Sequence, residues 1–80
     1  MTAILLTRTD ATRNLHRYCR LDVQADLFGA WCVIREWGRI GSAGQVWTLR
    51  FPSPADAERA LERQRRAKER KDYRPGGGAN

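Results

Sequence analysis

This chain of 80 residues has one histidine, two cysteines, one methionine and no apolar run long enough to cross a bilayer. Each scarcity removes a class of function. With His16 as the lone imidazole there is no catalytic triad and no histidine-based metal set, and Cys19, three positions on, would face the other side of an extended strand. Cys19 and Cys32 lie outside any CxxC pair, which argues against a zinc site, a redox motif or a disulfide framework and reads both as buried, free thiols. Most of the nine acidic residues sit on one predicted helix or in loops beside arginines, where surface pairing is the ordinary expectation. Gly38, Gly41 and Gly44 form neither GxGxxG nor GxxxxGK, and no helix begins after them, so a nucleotide-phosphate loop is not expected either. The chain therefore reads as a non-enzyme with no cofactor and no metal. The apolar stretch Ala3 to Leu6 is cut short by Thr7 and Arg8, so neither a signal peptide nor a membrane span is expected, and a reducing cytoplasm fits.

What the chain does have is positive charge. Fifteen Lys and Arg oppose nine Asp and Glu, for a net charge of +6 and a pI near 10.4. Such a surface favours polyanions, nucleic acid ahead of an anionic membrane, with plain solubility as the bland alternative. Hydrophobic residues make up 41% and are patterned along most of the length, which indicates a globular domain. At this size folding buries only about 60% of the unfolded surface, so the core is thin and there is no room for a second domain. One domain is expected over residues 1–74, with a disordered glycine-rich tail at 75–80.

Ala3 to Thr7 reads as a short strand and TRTDATRN as a loop. In NLHRYCRLDVQ, Leu15, Cys19, Leu21 and Val23 share one face and His16, Tyr18, Arg20, Asp22 and Gln24 the other, the period of a strand, with Arg17 interrupting the apolar side. After a tight connection at Gln24 to Asp26, LFGAWCVIREW reads as a long strand paired with the previous one. GRIGSAG is the next turn, and QVWTLRF alternates Val46, Thr48 and Arg50 against Trp47, Leu49 and Phe51. Ser53, Pro54 and Asp56 are an N-cap, a first-turn proline and a capping acid, opening a helix to about Lys71. Its apolar stripe is Ala57, Ala60, Leu61, Gln64 and Ala67, mostly alanine and too small for membrane insertion. The expected class is α+β: a small, mostly antiparallel sheet of about four strands with one C-terminal amphipathic helix packed on it.

Trp37 and Arg39, one residue apart, would project to the same face of an extended strand, with Gly38 between them leaving room for a ligand's backbone. An indole stacks on a sugar or base and a guanidinium forks onto phosphate oxygens, which together suit a polyanion with rings. The alternative is a core tryptophan beside a satisfied arginine. Trp31 and Trp47, inside strand patterns with apolar neighbours, are the stronger core candidates, whereas Trp37 lies against a turn.

WGRIG followed by GQ, after a YxRLxV-type strand and before a basic helix ending near an aromatic residue, resembles the WGR domain over almost the whole chain. The family is named for the tripeptide that is here Trp37, Gly38 and Arg39. The resemblance implies a mixed sheet with a helix packed on it, as in stand-alone bacterial members and in poly(ADP-ribose) polymerases, where the domain grips DNA near the 5′ end of a break. It implies that Trp37 packs on a terminal sugar or base, that Arg39 holds phosphate or a neighbouring domain, and that the Gly41 to Gln45 loop lines the site. Asn14, His16 and Arg17 would lie nearby, and Lys68, late in the helix, would be a further phosphate contact. Glu36 departs from the pattern: polymerase members commonly carry arginine there. The expectation is a non-enzymatic nucleic-acid-binding module using Trp37, Gly38, Arg39, Gln45, Asn14, His16, Arg17 and Lys68. It would recognise backbone or ends without sequence specificity, DNA ahead of RNA, neutralising about four phosphates with a salt slope near −3 to −4. The alternative is a protein-interaction module using the same surface.

Overall fold

The structure, a computed structural model, describes residues 3–75. Strands β1 (Ala3–Asp10), β2 (Leu15–Ala25), β3 (Trp31–Arg39) and β4 (Gln45–Phe51) form an antiparallel meander, and helix α1 (Pro54–Glu69) leads back to a two-residue strand β5 (Arg74–Pro75). The sheet order is β4-β3-β2-β1-β5, so the helix crosses from one edge to the other over a single face. This is the expected α+β architecture with one more strand than expected. β5 escapes a sequence reading because two residues carry no alternation. It pairs Pro75, the first residue of the expected tail, with Leu6 and Arg74 with Thr7. The rest of that tail lies outside the described residues.

The core is the contact between the helix and the sheet face below it. Cys19, Leu21, Val23 and Val33 from the central strands, Leu6 from β1, and Ala57, Ala60 and Leu61 from the helix are buried, as the periodicities predict. Gln64 of the same stripe accepts from Arg35 Nη1 at 3.0 Å. Small alanines let the helix approach closely, and it packs chiefly on β2 and β3 and only marginally on β4. Burial pushes the Cys19 thiol above its ordinary pKa, as expected of an inert core cysteine.

The helix ends are built as their residues dictate. Ser53 accepts from the Asp56 N–H at 3.2 Å, with Pro54 in the first turn. At the other end Asp72 adopts a left-handed φ of 69°, the Asp72 N–H donates to the Glu69 carbonyl at 3.1 Å, and the Tyr73 N–H donates to the Lys68 carbonyl at 3.1 Å. This closing pattern turns the chain so that Tyr73, 6% exposed, plugs the end of the core.

Two expected connections shift. TRTDATRN is not all loop: β1 continues to Asp10, which pairs with Leu15, and a 3-10 turn (Ala11–Arg13) closes the hairpin with Asn14 at φ 53°. The segment is polar because the sheet's end is wet, not because pairing has stopped. LFGAWCVIREW does not start as strand. Asp26 accepts from the Phe28 and Ala30 N–H groups at 2.8 and 2.9 Å and from Arg50 at 2.5 Å, and Gly29 takes φ 84°. That aspartate-organised turn projects Leu27 and Phe28 into water. Trp47, expected in the core, is 61% exposed, because the helix does not reach far enough over β4 to cover it. Trp31 does pack against the core.

Truncating Leu61, the largest helix side chain in the core, is expected to cost about 2–5 kcal/mol. Leu49→Ala, on the part of β4 the helix leaves open, should stay within about 0.5 kcal/mol. Urea denaturation followed by far-ultraviolet circular dichroism distinguishes the two.

Candidate functional site

The β3–β4 turn closes one end of the sheet. The Ser42 N–H donates to the Arg39 carbonyl at 3.1 Å, Gly41 takes φ 90°, and the Ile40 N–H donates to the His16 carbonyl at 2.7 Å, tying the turn to β2. Between that turn and the start of β2 lies an open groove of about 520 Å³. Of the eight residues expected at a site, seven line it: Asn14, His16, Arg17, Trp37, Gly38, Arg39 and Gln45. Lys68 does not. It stands 5.0 Å from the centroid of the Tyr73 ring, and burial, with Arg35, Lys71 and Arg17 adding repulsion, pulls its ammonium below its ordinary pKa. It borders the same cationic end from the helix side.

Trp37 and Arg39 share a face, as spacing predicts, but Trp37 is not a free platform. It packs against the core opposite Cys19, the Arg35 guanidinium lies 4.3 Å from its ring centroid, and Trp47 meets it edge-on at 6.2 Å. The packing reading holds, and the indole is at the same time a half-buried wall of the groove. Arg35, between two indoles, has a buried Nε with no partner and no carboxylate bonded to it among the described residues.

The register adds a residue that sequence reasoning missed. Arg8 is directly opposite Arg17, and Arg17 directly opposite Arg39. Three arginines thus stand in a row across β1, β2 and β3 on the helix side of the sheet, spanning about 10 Å. No hydrogen bond or ion pair to a carboxylate is formed by any of them among the described residues. Three of the helix arginines behave differently: Arg65 bonds Glu62 and Glu69, Arg66 reaches Glu62 at 3.8 Å and Arg59 bonds Asp56. Like charges opposite one another on a sheet destabilise it, by roughly 1 kcal/mol per adjacent pair in a water-like dielectric. Arg8 was hidden inside TRTDATRN, and only the β1–β2 pairing shows its alignment.

The sequence model of the WGR domain matches residues 2–80. The chain belongs to the WGR domain family. It is also similar to an uncharacterized protein, y4dW, of Sinorhizobium fredii (strain NBRC 101917 / NGR234), being 38% identical over 72 residues, which cover 90% of this chain and 35% of that protein. The chain spans about a third of the length of this relative. WGR domains are binding modules rather than catalytic ones.

In this WGR domain the tripeptide's glycine has a different use from the one expected. A Cβ on Gly38 would meet the Gly44 Cα at 2.9 Å, so the space it leaves is filled by the domain's own loop rather than by a ligand. Gly44 is tighter still. Its φ is not positive, but a Cβ there would run into the Trp37 carbonyl and come within 2.5 Å of the Tyr18 hydroxyl. The two glycines nest, and of Gly38, Gly41 and Gly44 it is Gly41 that is needed for its backbone angle. Glu36 points to the opposite face from Trp37 and accepts from the Tyr18 hydroxyl at 2.8 Å, so its charge is turned away from the arginine row. That bond raises the Tyr18 pKa, with burial adding to it and a hydrogen bond from the Gly44 backbone working the other way.

Gly44→Ala should destabilise the domain by about 1–3 kcal/mol through overpacking, whereas Ser42→Ala, exposed in the same turn, should stay within about 0.5 kcal/mol, both read from thermal melts. Because the folded Tyr18 pKa lies above the ordinary 10.0, its bond to Glu36 contributes in full below pH 10 and is lost as pH rises through the folded value. Tyr18→Phe should therefore be less stable than the parent at neutral pH, and the difference should close in strongly alkaline buffer.

Proposed function

We propose that this WGR domain binds nucleic acid through its phosphates, DNA ahead of RNA, at the groove formed by Arg17, Arg39 and the β3–β4 turn, without reading sequence. The observation that carries the reading is the in-register row of Arg8, Arg17 and Arg39, none of which forms an ion pair among the described residues. A polyanion converts the mutual repulsion of these side chains into attraction, and each planar guanidinium can fork onto two phosphate oxygens. The net charge of +6 and the role of WGR domains in poly(ADP-ribose) polymerases point the same way. Trp37 contributes an apolar wall beside the phosphates, and Lys68 adds positive potential from the helix. The groove's position at an open sheet end suits a strand terminus better than the middle of a duplex.

Docking of a protein on the same surface is the second reading, favoured by the exposure of apolar side chains around β4. Its mark would be a partner captured equally well after nuclease treatment and lost with Trp37→Ala.

Fluorescence anisotropy with nicked, blunt-ended and closed circular DNA across a salt series tests the proposal. Binding should weaken with log salt, and Arg8→Ala, Arg17→Ala and Arg39→Ala should each reduce the magnitude of the slope by about 1. Arg59→Ala, whose guanidinium is already bonded to Asp56, should leave the slope unchanged. Negligible binding to every form at low salt, or equal slopes for all variants, would overturn it.

A further inference from the structure

Trp47 is left uncovered by the helix. It is an indole 61% exposed on a sheet whose other tryptophans, Trp31 and Trp37, pack against the core. Leaving so much aromatic surface in water forgoes the stabilisation that burial would give. The ring is nevertheless held in place. Trp47 pairs across the strand with Arg35, whose guanidinium lies 5.7 Å from its ring centroid, and it meets Trp37 at 90°. A large, pre-positioned and exposed aromatic is what a stacking contact requires, since little side-chain entropy remains to be lost on binding.

Its placement says what would stack there. Trp47 is on the same face as Arg39, and two residues after Gln45, which lines the groove. Arg35, opposite Trp47, is four positions before Arg39 on β3, a separation of about 13 Å, or some four base steps of a stacked strand and fewer of a stretched one. A single chain with its phosphates on the arginine row can therefore lay a base on Trp47. Within a duplex both faces of a base are covered by its neighbours, so a base that reaches an aromatic side chain must be unpaired. The guanidinium of Arg35 behind the ring and the neighbouring arginine row favour a polyanionic occupant over a second, equally cationic copy of the chain.

We infer that Trp47 is a stacking platform for an unpaired nucleobase, so that the site takes a nucleic-acid end carrying a single-stranded overhang in preference to a fully paired one. This rests on the phosphate-binding reading above. It separates two tasks: the arginine row holds the backbone, and Trp47 senses that the bases are unpaired.

The test uses labelled duplexes of equal charge, either blunt or bearing a short adenine overhang on one strand or the other, with the parent protein, Trp47→Ala, Trp47→Phe and Arg17→Ala. The parent should prefer an overhang by roughly five-fold or more, the effect of one base stacked on an aromatic ring. Trp47→Ala should abolish that preference and leave the salt slope intact, Trp47→Phe should keep most of it, and Arg17→Ala should weaken blunt and overhang duplexes alike. Because Trp47 is largely exposed, Trp47→Ala should stay folded, with only a small drop in melting temperature from the lost edge contact with Trp37. If Trp47→Ala binds every duplex as the parent does, or loses blunt and overhang duplexes equally, the stacking role is overturned while the salt slope keeps the phosphate site. If Trp47→Ala instead disperses a dimer of the parent or releases a protein partner, the platform is a protein contact and the inference falls. Parent protein that binds none of the duplexes removes both proposals.

Discussion

Side chains on a strand alternate with a period of two, so the register of β2 against β3 decides which residues of both strands share the helix face. The pairing of Cys19 with Trp37 and of Val23 with Val33 puts the apolar set of β2 under the helix and, by the same step, aligns Arg17 with Arg39. A slip of one residue would drive Tyr18 and Asp22 into the core and scatter the arginines. The register is pinned at both ends by contacts that tolerate little change. At one end Gly38 and Gly44 nest while Tyr18 bonds Glu36; at the other Asp26 gathers two backbone N–H groups and Arg50.

The charge of the protein divides into two populations with different physics. On the helix, Arg59, Arg65 and Arg66 are matched with Asp56, Glu62 and Glu69 one turn away, each pair worth a few tenths of a kcal/mol. That arrangement is explained by helix stability alone. Across the sheet's end, Arg8, Arg17 and Arg39 are aligned against their own repulsion, at a place where alternate residue choices would stabilise the strands better. Local conflict with stability, concentrated beside a groove, is the usual mark of a surface shaped for something outside the chain.

Much of the fold was legible because it rests on local periodicity. The alternation in NLHRYCRLDVQ and the capped stripe from Ser53 through Ala67 hold in the structure nearly residue for residue, while QVWTLRF forms its strand but is exposed on both faces. Polar composition misled at TRTDATRN, where a strand end meets water, and aromatic composition misled at Leu27 and Phe28, where an aspartate side chain organises a turn. Of the site, the residues flanking the β3–β4 turn were legible from their spacing and from the family resemblance. Arg8, Arg35 and Trp47 were not, because each acquires its meaning from a neighbour distant in sequence.

The order of strands and helix, the capped helix start, the turn at Gly41 and the shared face of Trp37 and Arg39 follow from the sequence itself, since each depends on residues within a few positions of one another. Where the helix lies over the sheet does not. Its small alanine stripe seats it on β2 and β3, and that placement buries Trp37 halfway while leaving Trp47 in water. Nor does pattern alone align three arginines from three strands, since alternation specifies a face but not which residues stand opposite. Only the closed hairpins and the tertiary packing supply that register, and with it the geometry of the cationic groove.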